Sequence, residues 1–226
     1  MKKESVNKLI ILGIFAIAMG FLETTLVVYL RRIFYNGGFD FPLKGFTDPN
    51  IIAIEWIREI ATIVMLVTIG LLAGKKFYEK LSYFIYAFAI WDIFYYIFLK
   101  ILLNWPASFL TWDVLFLIPW PWIGPVLAPI MCAILMIITA IMIINLADRD
   151  MKNKMRSKLY EVILIIFGIL IVLFSWLFDY GSKFLGGEIM ENYIPVHFNW
   201  SLFLVGFIIS LIGIVMFYLR NKKMIK

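Results

Sequence analysis

One cysteine (Cys132) and one histidine (His197) among 226 residues exclude an internal disulfide, a Cys/His zinc site and a bis-histidine haem site built from the chain's own side chains. Charge is scarce as well: Asp, Glu, Lys and Arg make up 16% of the residues, against about 25% in soluble proteins. No G-x-x-x-x-G-K-[ST] phosphate loop, G-x-S-x-G nucleophile elbow or H-E-x-x-H metal helix is present. Ser175, Ser182 and Ser201 lack a neighbouring sequence that would activate a nucleophile. The acidic residues include no dense Asp-x-x-x-Asp pair of the kind that holds Mg²⁺, so neither a metal nor a cofactor is expected. The net charge of +6 comes without a continuous basic patch interleaved with aromatics, which argues against nucleic acid as a partner.

What is abundant is apolar length. Hydrophobic residues account for 63% of the chain and the mean hydropathy is +0.94. Six long apolar runs, at about 8–30, 50–73, 82–103, 123–147, 159–179 and 198–219, each match the roughly 20 residues that cross a 30 Å hydrocarbon core. The expected fold is an all-α polytopic membrane helix bundle, one integral membrane domain over residues 1–226, with the lipid bilayer as its solvent. Six crossings leave no room for a separate soluble catalytic domain.

Basic residues set the direction. With the N-terminus inside, Lys2, Lys3, Lys8, Lys75, Lys76, Lys80, Arg149, Lys152, Lys154, Arg156, Lys158, Arg220, Lys222, Lys223 and Lys226 fall on the cytoplasmic side. Only Arg31, Arg32, Lys44 and Lys183 fall on the other. The chain therefore reads as a multi-pass protein of the cell membrane with both termini cytoplasmic. An Ala16-Ile17-Ala18 pattern resembles a signal-peptidase site, but the apolar run continues to Leu30, which favours an uncleaved first span.

The connection from Asn104 to Trp122 is too apolar to float in water. Its tryptophans (Trp105, Trp112, Trp120, Trp122) suit the headgroup level, and Pro119, Pro121, Pro125 and Pro129 break helix geometry around the start of the fourth span. A short helix at about 107–117 is expected there, either lying at the outer interface as an anchor or dipping in as a re-entrant lid. The first outer loop, about 31–49, is turn-rich through Gly37, Gly38, Pro42, Gly45 and Pro49. The fifth connection, about 180–197, carries Glu188 and Glu191 but no binding motif. A Trp-Asp-aliphatic-bulky repeat occurs at Trp91–Phe94 and Trp112–Leu115, spaced 21 residues apart, too close to mark the halves of a duplicated transporter.

Ionisable groups inside spans are expensive and by default face a bundle interior or a wet cavity. Glu23, Glu55, Arg58, Glu59, Asp92, Lys100 and Asp113 all fall in the outer half of the bilayer or at its centre, whereas the last three spans have no charge in their middles. Glu55 and Glu59 are i,i+4 neighbours with Arg58 between them, and Asp92, Tyr96 and Lys100 form a second helical row. Arg58 is expected to pair with Glu55 or Glu59, and Lys100 with Asp92; Arg31 is expected to snorkel towards the headgroups. Even with those pairs, five carboxylates against Arg58 and Lys100 leave three surplus negative charges if all are ionised. Protons, a cation or water must offset them. Tyr95 and Tyr96 read as packing residues, with a hydroxyl in reach of Asp92, and His197 as an interfacial residue.

Three functions fit this pattern. The leading one is transport or permeation, with the acidic cluster binding a proton or a cation. The second is a membrane-embedded enzyme acting on a lipid or polyprenyl substrate at the outer leaflet, with Arg58 steering an anionic headgroup. The third is a noncatalytic subunit whose buried charges meet a membrane-protein partner.

Overall fold

The computed structural model describes residues 1–35, 39, 41, 49–118, 120–150, 154–185 and 193–225, apart from the side chains of residues 49, 179 and 182–185. Six long apolar helices account for most of it: α1 (Lys3–Phe34), α2 (Pro49–Ala73), α3 (Phe77–Leu103), α4 (Leu127–Arg149), α5 (Leu159–Leu185) and α6 (Trp200–Ile225). Each is long and apolar enough to cross a bilayer. At 1.5 Å per residue the 32 residues of α1 reach about 48 Å, well beyond a hydrocarbon core of about 30 Å. The helix runs unbroken through Ala16-Ile17-Ala18.

The surface is inverted relative to a soluble protein. Along α2 the outward residues are Ile54, Trp56, Ile57, Ile60, Val64, Met65, Leu71 and Leu72, all exposed, while Glu55, Glu59 and Thr62 are buried. Carboxylates inside and isoleucines outside make sense only where the surroundings are apolar.

Helix α3 is the centre of the first four helices: α1, α2 and α4 all pack on it, while α1 and α2 scarcely touch each other. Close approach of α1 to α3 is set at Gly20, where an added Cβ would lie 3.1 Å from the Trp91 carbonyl, and beside it Thr24 Oγ1 donates to the Gly20 carbonyl at 2.8 Å. Helices α5 and α6 form the most intimate pair and join the rest through α6 against α4 and through α5 against the connection between α3 and α4. Their backbones nearly touch at Gly168, Gly206 and Ser210.

The ends of the bundle differ. At the terminal end, where both chain termini lie, Ser5 Oγ donates to Asp148 at 2.6 Å and Arg220 Nε donates to Glu161 at 2.6 Å. At the opposite end the connection between α3 and α4 forms an antiparallel hairpin, β1 (Trp112–Phe116) with β2 (Trp122–Pro125). Trp112 faces Pro125, Asp113 faces Gly124 and Val114 faces Ile123, with an irregularity before Phe116 pairs with Trp122.

That hairpin overturns the expected helix at 107–117. The segment alternates aromatic and β-branched residues that favour a pleated strand, and the prolines that follow cannot supply the amide donors of a continuing helix. Two further backbone bonds, Val126 N to the Thr111 carbonyl at 3.0 Å and Leu127 N to the Phe109 carbonyl at 2.8 Å, extend the pairing to the start of α4. Helix α4 accordingly begins at Leu127 instead of 123, with Pro129 in its first turn, where a missing amide costs nothing. Helix α3 ends on Asn104 in the left-handed conformation (φ 51°), which a short polar side chain tolerates. Helix α5 continues to Leu185, six residues past its expected end. The expected turn glycines and prolines of the first loop (Gly37, Gly38, Pro42, Gly45) and Glu188 and Glu191 of the fifth connection lie outside the described residues.

The α5–α6 contact yields a test of the packing. In Gly206→Ala the new Cβ would lie 2.7 Å from the Gly168 carbonyl and 2.8 Å from Val172 N. Backbone atoms cannot yield, so the expected loss is about 1–3 kcal/mol, read as a lowered unfolding temperature in detergent. Gly181→Ala, with nothing among the described residues within 4 Å of the added carbon, should leave that temperature unchanged or slightly raised.

Candidate functional site

Beneath the hairpin, α1, α2 and α3 enclose a cavity of about 150 Å³. Glu23 comes from α1, Glu55, Arg58 and Glu59 from α2, Asp92 from α3 and Asp113 from β1, and all six line the same space. The helical phase explains the convergence. Glu55, Glu59, Thr62 and Leu66 recur at spacings of four, three and four on the face of α2 turned to α3, and only that face is buried. The upper part of the stripe is acidic and its lower part apolar. Below the acids, Leu66 joins Ala16, Met19, Ala87 and Trp91 in a packed layer that floors the cavity.

Arg58 spans the gap between α1 and α2. Its Nη1 donates to Glu23 across the gap, and its Nε and Nη2 reach Glu55 Oε2 at 2.9 and 2.8 Å. The expected Glu55 pair is therefore present, and a partner on α1 is added to it. Glu59 is not a partner of Arg58. Its two carboxylate oxygens both accept the Leu117 amide, at 2.9 and 3.0 Å, and so tie the hairpin to α2.

Asp113 ties the hairpin to the other two walls. Arg31 Nη2 donates to its Oδ1 at 3.4 Å and the Tyr96 hydroxyl donates to its Oδ2 at 3.2 Å. Burial pushes the Asp113 carboxyl up to about 6, while Arg31, the Val114 amide and the Tyr96 hydroxyl pull it down.

Three expectations are corrected here. Lys100 is not part of the cavity and does not meet Asp92; its ammonium donates to the carbonyls of Pro106 at 3.0 Å and Asn104 at 3.4 Å. A cation one turn from the end of α3 finds the carbonyls at and just beyond the helix cap first. Arg31 does not snorkel outwards: 7% of the residue is accessible, and its guanidinium lies 3.8 Å from the Trp105 ring and 4.2 Å from that of Phe39. The hairpin brings a carboxylate over the end of α1, and the cation turns in to meet it. The Tyr96 hydroxyl bonds Asp113, not Asp92.

Asp92 is thus left with no hydrogen-bond donor or cation among the described residues, and its accessible surface belongs to the cavity wall. Replacing Lys100 by Arg31 keeps the balance at five carboxylates against two cations, three negative charges in surplus if all are ionised. Among the described residues no three Asp, Glu, His or Cys side chains are arranged to hold a metal ion.

Both aspartates of the repeated Trp-Asp motif line this one cavity, so the repeat marks the site without marking a duplication. Thr62 is a lining residue that the sequence reading did not name, and Arg31 and Trp91 were named there but not as part of the site. For Arg31 a signal existed, since an arginine following an apolar span on the side poor in basic residues needs a local reason to be there. No protein family, curated protein or solved structure matches the chain.

The two hairpin and bridge contacts can be separated by mutation. Arg58→Leu strands Glu23 and Glu55 and should cost about 3 kcal/mol, the low end for a broken buried pair, because 23% of the Arg58 side chain remains accessible. Glu59→Leu leaves the Leu117 amide without an acceptor and should cost about 1–3 kcal/mol, with Glu59→Gln costing less. Thermal unfolding gives both magnitudes, and faster amide exchange at Leu117 should accompany only the Glu59 changes.

Proposed function

We propose that this protein binds a proton or a small cationic group in the cavity under the hairpin and serves transport or permeation across the membrane. The observation that carries the reading is a buried space with three more carboxylates than cations, one of which, Asp92, has no donor or cation beside it among the described residues. A charge surplus of this kind is unstable in low dielectric unless a proton or cation joins it. Coupling follows if entry of the cation and loss of a proton alternate at Asp92 and Glu59.

The basic residues support an orientation with both termini in the cytoplasm, which puts the hairpin and the mouth of the cavity at the outer face. In that setting the hairpin is a re-entrant lid, and Trp105 and Trp120 sit at the height of the headgroups. The floor formed by Leu66, Trp91 and their neighbours separates the cavity from the cytoplasmic half, so passage requires that layer to open.

A second reading has one observation in its favour. Because α1 and α2 are joined across the cavity by Arg58 and scarcely touch otherwise, a lipid or polyprenyl substrate could reach the acids from the side. One carboxyl would then act as general acid or base on a headgroup steered by Arg58.

The test is flux in reconstituted liposomes. The expected result is pH-dependent uptake of a cation or protons, reduced at least tenfold by Asp92→Asn and by Glu59→Gln while the unfolding temperature shifts by only a few degrees. Absence of any pH-dependent flux and of any cation binding, with both variants changing stability alone, overturns the transport reading.

A further inference from the structure

The cavity under the hairpin is larger and more apolar than a proton or a simple ion requires. Its volume is about 150 Å³, and an engineered cavity of similar size is filled by benzene. Around Asp92 the walls are rings. Tyr95 and Tyr96 follow it by three and four residues and so share its face of α3, and Trp91 precedes it in the floor. Phe116 of the hairpin packs edge-to-face on Trp91, with ring centroids 6.4 Å apart, and all four residues line the cavity. The other polar groups beside them are engaged: Arg58 with Glu23 and Glu55, Glu59 with the Leu117 amide, and the Tyr96 hydroxyl with Asp113. Asp92 has neither a donor nor a cation among the described residues.

A lone carboxylate in a ring-lined space selects among cations. Each buried water makes about three hydrogen bonds to polar groups, and aromatic walls supply few, so an inorganic cation that brought its hydration shell would leave that shell poorly bonded. A cation wrapped in methyl groups avoids the difficulty. Its charge is attracted to the carboxylate and to the π-systems, its methyl groups bury apolar surface, and a quaternary nitrogen has no N–H that needs an acceptor. The chain already holds one cation in this manner. The Arg31 guanidinium meets Asp113 and lies 3.8 Å from the centroid of Trp105 and 4.2 Å from that of Phe39.

We infer that the ligand of this cavity is a small alkylated ammonium ion, seated against Asp92 among the rings of Tyr95, Tyr96 and Phe116. The inference rests on the cation-binding reading of the preceding section and names the class of ligand. Tetramethylammonium, comparable in bulk to benzene, is the simplest member. The same group occurs as trimethylammonium in free solutes and at the end of a phosphocholine headgroup.

Binding to the purified full chain in detergent is measured by calorimetry with tetramethylammonium, ammonium and potassium chlorides. Tetramethylammonium is expected to bind at least tenfold more tightly than either of the others. Asp92→Asn should weaken it at least tenfold. Phe116→Leu, which keeps an apolar wall but removes the ring, should weaken it about threefold or more and leave potassium unchanged, and Lys100→Gln should affect none of the three. Unfolding temperatures identify misfolded variants, and if Asp92→Asn or Phe116→Leu is among them, the order of the three probes on the unaltered protein still decides.

Nanodiscs distinguish the source of the ligand. If phosphatidylcholine discs, but not phosphatidylglycerol discs, abolish binding of added tetramethylammonium, the headgroup is the occupant; equal binding in both supports a free solute. Potassium or ammonium binding as tightly as tetramethylammonium overturns the alkylated ligand and leaves the cation reading in place. Tight tetramethylammonium binding that neither folded variant alters overturns the assignment to Asp92 and its rings. If no cation or proton binds at all, the cation reading falls and this inference with it.

Discussion

An acidic stripe on the inward face of a membrane-type helix is the constraint from which the rest of this architecture follows. Glu55 and Glu59 cannot be hydrated from outside, because the opposite face of α2 is a wall of isoleucine, leucine and valine. Their charge has to be met within the bundle. Arg58 meets part of it and in doing so joins α2 to α1, two helices that otherwise scarcely touch. Glu59 draws in the Leu117 amide and fixes the hairpin to α2. The hairpin then delivers Asp113 to Arg31 and Tyr96 on the two remaining walls. Each contact moves the electrostatic problem to a neighbour, and Asp92 is where it stops without being resolved.

The same chain shows what a purely structural carboxylate looks like. Glu161, at the start of α5, is fully buried, receives both Nε and Nη2 of Arg220 at 2.6 and 2.7 Å, and takes the Lys158 amide at 2.9 Å. Every acceptor there has a donor, and the charge balances in one forked pair of the kind that Arg makes best. Arg220 also reaches the Arg156 carbonyl, and Asn221 accepts the Arg156 amide at 3.0 Å. That arrangement locks α5 to α6 at the terminal end and leaves no chemistry over. Under the hairpin neither condition holds, since the acids outnumber the cations and an open space adjoins them. The contrast separates a lock from a site on physical grounds.

The six spans were readable because bilayer thickness imposes a run length that composition cannot hide, and their order along the chain emerged with ends displaced by a few residues. The acids were readable for a related reason: at 16% charge, any carboxylate inside an apolar run is conspicuous. Pairing was not readable, because partners are chosen by contacts between helices far apart in sequence. Arg58 finding Glu23, 35 residues away, and Arg31 finding Asp113, 82 away, depend on which helices neighbour α3. Lys100 misled because its i,i+8 relation to Asp92 looked like a shared face, whereas the end of its own helix offered nearer acceptors. The hairpin was missed because its aromatic run was read as interfacial anchoring, when alternation of Trp112, Val114 and Phe116 with their neighbours is a strand pattern.

The floor of the cavity gives this arrangement a direction. Trp91 and Leu66 belong to the layer that closes the space, and the next residue after Trp91 is the unpartnered Asp92. Side chain and floor thus share one turn of α3. Above it, three polar contacts hold the cavity side of the hairpin, Glu59 to Leu117, Arg31 to Asp113 and Tyr96 to Asp113, while its other side packs on α5, with Trp122 stacked on Trp176. Each depends on a carboxylate that also faces the cavity. A neutralised Glu59 or Asp113 weakens its grip, because a charged acceptor makes roughly twice the bond of a neutral one.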